Sequence, residues 1–244
     1  MIKPVILATS FVFAMLWAMF SAHPVIAKTP AGKAVKVSGS ASTSGPRGKM
    51  RLSTGNAVFA GDTIKTGFSS RVQLLFSDQT RLVVGPRSKI RLDSYVLGRK
   101  NSASSFAIKA ARGTFRFLSG KSKKSIYKIS TSTATIGIRG TSFDFADRGQ
   151  VSVVLYSGSV QVCTSRSCTT LVNKCDLAQE SRGRITKSTT AQLVPNAYNL
   201  TFPFIRRESL LLPGFRVGAG ACDAQAGQGP SGGNGNGDRG GANQ

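Results

Sequence analysis

The side chains in this sequence that could do chemistry are four thiols, a few acids and many cations. The thiols are Cys163, Cys168, Cys175 and Cys222. Cys163 and Cys168 flank Thr164-Ser165-Arg166-Ser167, with Val160-Gln161-Val162 leading in and Thr169-Thr170-Leu171-Val172 leading out. That pattern predicts two strands joined by a four-residue loop. Facing strand residues lie ~4.5–5.5 Å apart at Cα, within disulfide reach. Four cysteines allow three pairings. Spacing favours Cys163–Cys168, and Cys175–Cys222 then follows by elimination. A four-thiolate metal site is the rival, but the spacings lack the close cysteine pairs such sites use.

Nucleophilic catalysis has little to work with. The only histidine, His23, lies in an N-terminal segment expected to be removed. Ser-His-Asp, Cys-His and His-containing zinc sites are then excluded. Asp144 and Asp147, three apart in a strand pattern, point to opposite faces. Asp176 and Glu180 are four apart where no helix is evident. Asp62 and Asp78 read as turn residues that accept backbone N–H bonds. No glycine-rich loop stands between a strand and a helix with a following lysine, so no nucleotide cofactor is expected. The alternative to a binding protein is an enzyme acting on an envelope polymer through a carboxylate or lysine site.

Cations are the stronger lead. The chain carries 33 Lys and Arg against ten acids, a net charge of +23. Removal of residues 1–27 takes away one cation, Lys3, and leaves +22. Solubility of a small domain needs a net charge of only ~2–8. Arg87, Lys89 and Arg91 alternate with Ser88, Ile90 and Leu92, so one strand face is basic. Arg112 and Arg116 flank Thr114, opposite Phe115 and Phe117, and are expected to share a face. Lys121, Lys123 and Lys124 crowd one turn. Arg139, before Gly140 and Thr141, is expected either to clamp strand carbonyls at a bend or to contact a ligand. Such a field attracts anionic partners: anionic lipid, lipopolysaccharide, an acidic glycan or an acidic protein. Nucleic acid is disfavoured, because there is no platform of exposed aromatics and no recognition motif.

The elements that would carry these residues are strands. Lys3, the apolar run Val5–Phe20 and the small residues Val25 and Ala27 describe a signal peptide cleaved before Lys28. The expected product is periplasmic or secreted, and not an integral membrane protein once processed. Short apolar runs then alternate with turn residues from Val35 to Val172, as in Arg71–Phe76, Leu82–Val84, Lys89–Leu92, Arg112–Phe117 and Val151–Tyr156. At least ten strands without helical periodicity predict an all-β fold arranged as a roll, solenoid or sandwich. The expected organisation is a β domain over 28–172 and an extension over 173–217 tied back by a disulfide. A tail follows over 218–244, where ten of 27 residues are glycine and no large apolar side chain occurs. Such a tail cannot offset its ordering entropy and is expected to be disordered.

Several segments together resemble FecR-type domains. They are Ala60-Gly61-Asp62-Thr63-Ile64-Lys65-Thr66-Gly67, then Ser69 to Asp78, then Leu82-Val83-Val84-Gly85-Pro86-Arg87-Ser88. Ala134-Thr135-Ile136-Gly137-Ile138-Arg139-Gly140-Thr141-Ser142-Phe143 resembles the family's apolar strand ending in Arg-Gly-Thr, and Tyr156 to Val162 its closing hairpin. The resemblance spans about residues 35–165. It implies an extracytoplasmic all-β module with a sensing or assembly role. Family members that relay siderophore signals to a sigma factor carry a cytoplasmic region ahead of a membrane span. Only Met1 to Pro4 precede the apolar segment here, so the resemblance implies fold and compartment and not an anti-sigma role.

Intact-mass measurement of the secreted protein is expected to give a chain beginning at Lys28. Retention of residues 1–27 in the membrane fraction would contradict this reading.

Overall fold

The computed structural model describes residues 29–98, 102–189, 201–204, 207–218 and 222, with only the backbone of Lys124. The expected signal peptide with its Ala27–Lys28 junction, and the glycine-rich tail apart from Gly218 and Cys222, lie outside these residues.

Fifteen strands join in one hydrogen-bonded sheet. They are β1 (Gly32–Ser38), β2 (Ala41–Gly45), β3 (Gly48–Arg51), β4 (Ala57–Val58), β5 (Thr63–Thr66), β6 (Arg71–Phe76), β7 (Arg81–Val84) and β8 (Lys89–Leu97). β9 (Ala103–Leu118), β10 (Tyr127–Ser130), β11 (Thr135–Asp147), β12 (Val151–Cys163), β13 (Cys168–Leu171), β14 (Asp176–Ser181) and β15 (Arg184–Thr189) follow. The all-β expectation holds, and its form is a roll. Three long strands, β9, β11 and β12, each serve two layers. The first part of β9 pairs with β8 and β10, its last part with β7 and β11. β11 pairs with β10 through Thr135–Gly137 and with β9 through Ser142–Asp147. β12 meets β14 near its start and β13 at its end. Layer one therefore runs β3, β2, β5, β8, β9, β10, β11, β12, β13. Layer two runs β4, β1, β6, β7, β9, β11, β12, β14, β15.

Strand alternation fills the space between the layers. Ile64, Ile90, Leu92, Phe106 and Ile108 point in from layer one, and Leu74, Phe76, Leu82, Phe115, Phe117, Phe143 and Phe145 from layer two. Phe106 meets Phe76 edge-on at 4.9 Å and Phe117 at 5.9 Å, ring centre to ring centre. Each such buried ring contributes about 1.5–3 kcal/mol through the area it removes from water.

The turnover from one layer to the other falls on the Arg-Gly-Thr segment. β11 and β12 lose register between Arg139 and Ser142. There Gly140 takes φ +68° and Gly158, across the ladder, takes φ +82°. A Cβ on Gly158 would overlap the carbonyl oxygen of Gly140. Two backbones thus come together where only hydrogen fits, which is the physical content of this motif. The neighbouring Thr141 is pinned by exchange with Ser119, whose backbone N–H donates to the Thr141 carbonyl and whose hydroxyl accepts the Thr141 N–H.

Gly158→Ala is expected to destabilise the fold by roughly 3 kcal/mol, combining left-handed strain with the overlap. Gly149, also at positive φ but with open space around its Cβ position, should cost only about 1 kcal/mol as Gly149→Ala. Urea midpoints of the two variants check this. Equal losses would show that the close approach at the bend is not limiting.

Candidate functional site

A roll has two outer faces, and this chain treats them oppositely. On layer two, the outward row Gln73, Val83, Arg116, Asp144, Val154 and Leu177 is set by the registers of β6, β7, β9, β11, β12 and β14. All six are buried, because the part of the extension beyond β15, from Thr201 on, covers them. Phe204, Leu211 and Phe215 pack on Val83, and Phe202 packs with Ala146, Val154, Tyr156 and Leu177. The Gln73 side chain accepts the Leu212 N–H at 2.9 Å.

At the centre of this covered face is an ion cluster. The Arg116 guanidinium donates to both oxygens of Asp144, at 2.7 and 3.0 Å, and to Glu208 of the extension. Glu208 also accepts the N–H groups of Val217 and Gly218, and Tyr156 donates to Asp144 at 2.9 Å. Burial alone would lower the Arg116 pKa, but the adjoining Asp144 carboxylate outweighs it and the net shift is upward. The cation is therefore permanent. Arg116 is thus not part of an exposed anion-binding face. Arg112, Thr114 and Arg116 keep to one face of the strand, opposite Phe115 and Phe117, but β9 passes from layer one to layer two at Gly113, φ +128°. Arg112 accordingly stays on the outside of layer one while Arg116 goes to the outside of layer two.

Layer one has no cover among the described residues, and its outside is basic. Two cross-strand rows run over it. Arg51, Ser42, Lys65, Lys89 and Arg112 form one, each directly opposite the next. Lys49, Ser44, Thr63, Arg91 and Lys109 form the other, two residues along. All seven cations are exposed. Strands lie about 4.8 Å apart and successive rows about 6.8 Å. Lys65, Lys89 and Arg112 face one another across three neighbouring strands, an arrangement that costs stability through like-charge repulsion. Asp93 reaches Arg91 at 2.9 Å. Arg87, at φ +50°, sits just off the end of β8 with its guanidinium 3.9 Å from the centre of the exposed Phe68 ring.

The second row continues. Lys109 faces Ser130 of β10, Ser130 faces Thr135 of β11, Thr135 faces Cys163 of β12, and Cys163 faces Cys168 of β13. Ser130, Thr135 and Cys163 line a cleft of about 650 Å³ together with Ser132, Thr133 and Glu180. In it Glu180 accepts the Gly183 N–H at 2.7 Å and stands 3.4 Å from the Thr133 hydroxyl.

Of the residues expected to bind anions, Arg87, Lys89, Arg91, Arg112 and Arg139 are exposed and Arg116 is not. Arg139 does not clamp the bend, which its glycines make; it stands opposite Ser159 on the outside of layer one. Lys121 and Lys123 are exposed on the turn after β9. Lys49, Arg51, Lys65 and Lys109 join the face only through strand pairing. Alternation in Thr63–Thr66 and Phe106–Lys109 placed Lys65 and Lys109 outward, but nothing local told which strands adjoin.

The acids and thiols fall as follows. Asp62 accepts the Phe59 N–H and lies 3.6 Å from Arg47. Asp78 accepts from Thr80, Ser122 and Tyr127, and the Tyr95 hydroxyl is pushed up to about 12 by burial and by Asp78 nearby. Both carboxylates serve turns. Asp176 is held below the usual carboxylate range: burial opposes this, but Lys187 and the N–H groups of Asn173 and Val172 outweigh it. Disulfides join Cys163 to Cys168 and Cys175 to Cys222, the second tethering the chain beyond the extension beside Phe202.

Residues 62–161 match the family described as FecR protein. Two crystal structures described as a proposed anti-sigma factor from Parabacteroides distasonis are similar to the chain at 16% identity, with TM-scores of 0.42 and 0.43. The similarity covers 52% of this chain and 59% of theirs, so this chain spans little over half of those proteins. No curated protein matches the chain.

Arg116→Met is expected to strand Asp144 and Glu208 as buried charges and to cost about 3–5 kcal/mol. Arg91→Gln, on the bare face, should cost within ~0.5 kcal/mol. Urea unfolding of both variants, with proteolysis of the 201–218 segment as a second readout, tests this. An Arg116→Met protein of unchanged stability would remove the cluster's role in holding the extension.

Proposed function

We propose that this chain, which carries a FecR domain over residues 62–161, is a non-catalytic extracytoplasmic module that senses or assembles at the cell envelope by binding an anionic component. The observation that carries the reading is the row Lys65, Lys89 and Arg112. Three cations face each other directly on the sheet face that no described residue covers. Repulsion of this kind is a standing cost to the fold, and an anionic partner relieves it. The opposite face of the same roll is capped with aromatic residues and a buried ion cluster, so the open face is not a consequence of a fold too small to cover itself.

Compartment and chemistry agree with this role. Two disulfides suit an oxidising environment outside the cytoplasm. Catalysis on an envelope polymer would call for two carboxyl groups facing each other across a cleft. The cleft beside β10 is lined by one, Glu180. The other close pair, Asp144 and Glu208, is bridged by Arg116 and shut away from solvent.

Saturable binding of the secreted protein to at least one of anionic lipid vesicles, lipopolysaccharide and polyuronate is expected at roughly 50 mM salt. It should weaken steeply as salt rises, since the Debye length falls from ~10 Å at 0.1 M to ~3 Å at 1 M. A Lys65→Gln, Lys89→Gln, Arg112→Gln triple variant should bind roughly tenfold more weakly while unfolding at an equal or higher urea concentration. Flat titrations against all three probes would defeat the proposal.

A further inference from the structure

Resting on that reading, we infer that the partner is an acidic polysaccharide chain, laid across the strands of layer one with its acidic groups on the cation rows and its hydroxyls in the Ser/Thr-lined cleft. The continuity of one row is what leads there. Lys49, Ser44, Thr63, Arg91, Lys109, Ser130, Thr135, Cys163 and Cys168 are linked partner to partner across nine strands. In each antiparallel or parallel pair, directly opposed residues share a face. One continuous track therefore begins among cations, passes among hydroxyl groups and ends at the Cys163–Cys168 disulfide.

The chemistry changes along the track at Lys109. Before it, cations are interleaved with Ser42, Ser44 and Thr63. After it, the lining is Ser130, Ser132, Thr133 and Thr135, with Glu180 at the back. A carboxylate there repels anionic groups and accepts hydrogen bonds from hydroxyl donors. A ligand satisfying both ends carries negative charge over one stretch and free hydroxyls over another, as a polysaccharide with uronate or phosphate substituents does. Polyphosphate lacks the hydroxyls. A membrane surface would be met by apolar side chains set among the cations, whereas the rows interleave serine and threonine. The exposed Phe68 ring beside Arg87, off the ends of β5 and β8, adds a flat apolar platform of the kind a sugar ring covers.

The test uses the secreted full-length protein and three probes: polygalacturonate with part of its carboxylates methyl-esterified in blocks, so that charged and uncharged stretches alternate, long-chain polyphosphate and vesicles containing phosphatidylglycerol. Polygalacturonate is expected to bind more tightly per charge than the other two. A Ser132→Ala, Thr135→Val variant removes two exposed hydroxyls without changing charge. It should lose roughly fivefold in affinity for polygalacturonate, a change of about 1 kcal/mol, and nothing for polyphosphate or vesicles. The Lys65, Lys89, Arg112 triple variant should weaken all three. Binding to polyphosphate or vesicles as tight per charge as to polygalacturonate, or a Ser132→Ala, Thr135→Val variant that keeps polygalacturonate affinity, would overturn this inference while leaving the basic face as a binding surface. Loss of every probe's binding would instead sink the functional proposal beneath it.

Discussion

The structure depends on three strands that belong to two layers at once. β9, β11 and β12 leave one layer and enter the other, so a single hydrogen-bonded sheet encloses a core between its own two layers. The constraint is local: at the crossing, Gly140 and Gly158 bring two backbones within a distance that admits no side chain. From that crossing follow a shared aromatic core, and two outer faces whose residues are assigned by the strand alternation on each side of the bend.

The two faces show how one physical rule yields two outcomes. A sheet face that meets water must be polar, covered or used. Layer two is covered, and the extension is fixed there by aromatic packing, by Gln73 and by a permanent guanidinium shared between Asp144 and Glu208. A buried cation with two carboxylates is costly to assemble and costlier to break, which gives the extension one docking position. Layer one is left polar, and its polarity is almost all of one sign. A solubilising surface would intersperse both signs. The cations on this face instead gather in two rows, next to a hydroxyl-lined cleft.

The FecR-type segment accounts for the scaffold rather than the ligand. Its motifs are turns and bends: Asp62 and Asp78 hold loops, and Arg-Gly-Thr supplies the crossing. Of the row cations, Lys65 lies within the Ala60–Gly67 segment, Lys89, Arg91, Lys109 and Arg112 fall between the motifs, and Lys49 and Arg51 precede the matched residues, beyond which Glu208 lies.

Sequence alone determined the strand content, the Cys163–Cys168 hairpin and the outward side of Lys89, Arg91 and Arg112, whereas Arg87, expected on the same strand face, is exposed from a turn at φ +50° ahead of β8. Each follows from alternation and turn chemistry within a dozen residues, where the period of two cannot slip without exposing the core. It also fixed the charge excess and the poverty of acid–base groups. Only tertiary structure decided what adjoins what. Counting by twos from Arg112 to Arg116 correctly puts both on one face of the strand, but the passage of β9 between layers at Gly113 turns that face to opposite sides of the molecule. Arg116 meets Glu208 across 92 residues, a distance at which no local pattern speaks. The rows through Lys65, Lys89 and Arg112 likewise exist because β5, β8 and β9 are neighbours. Strand order is set by how the whole set of apolar faces closes on a common core, and that is a property of the assembled roll.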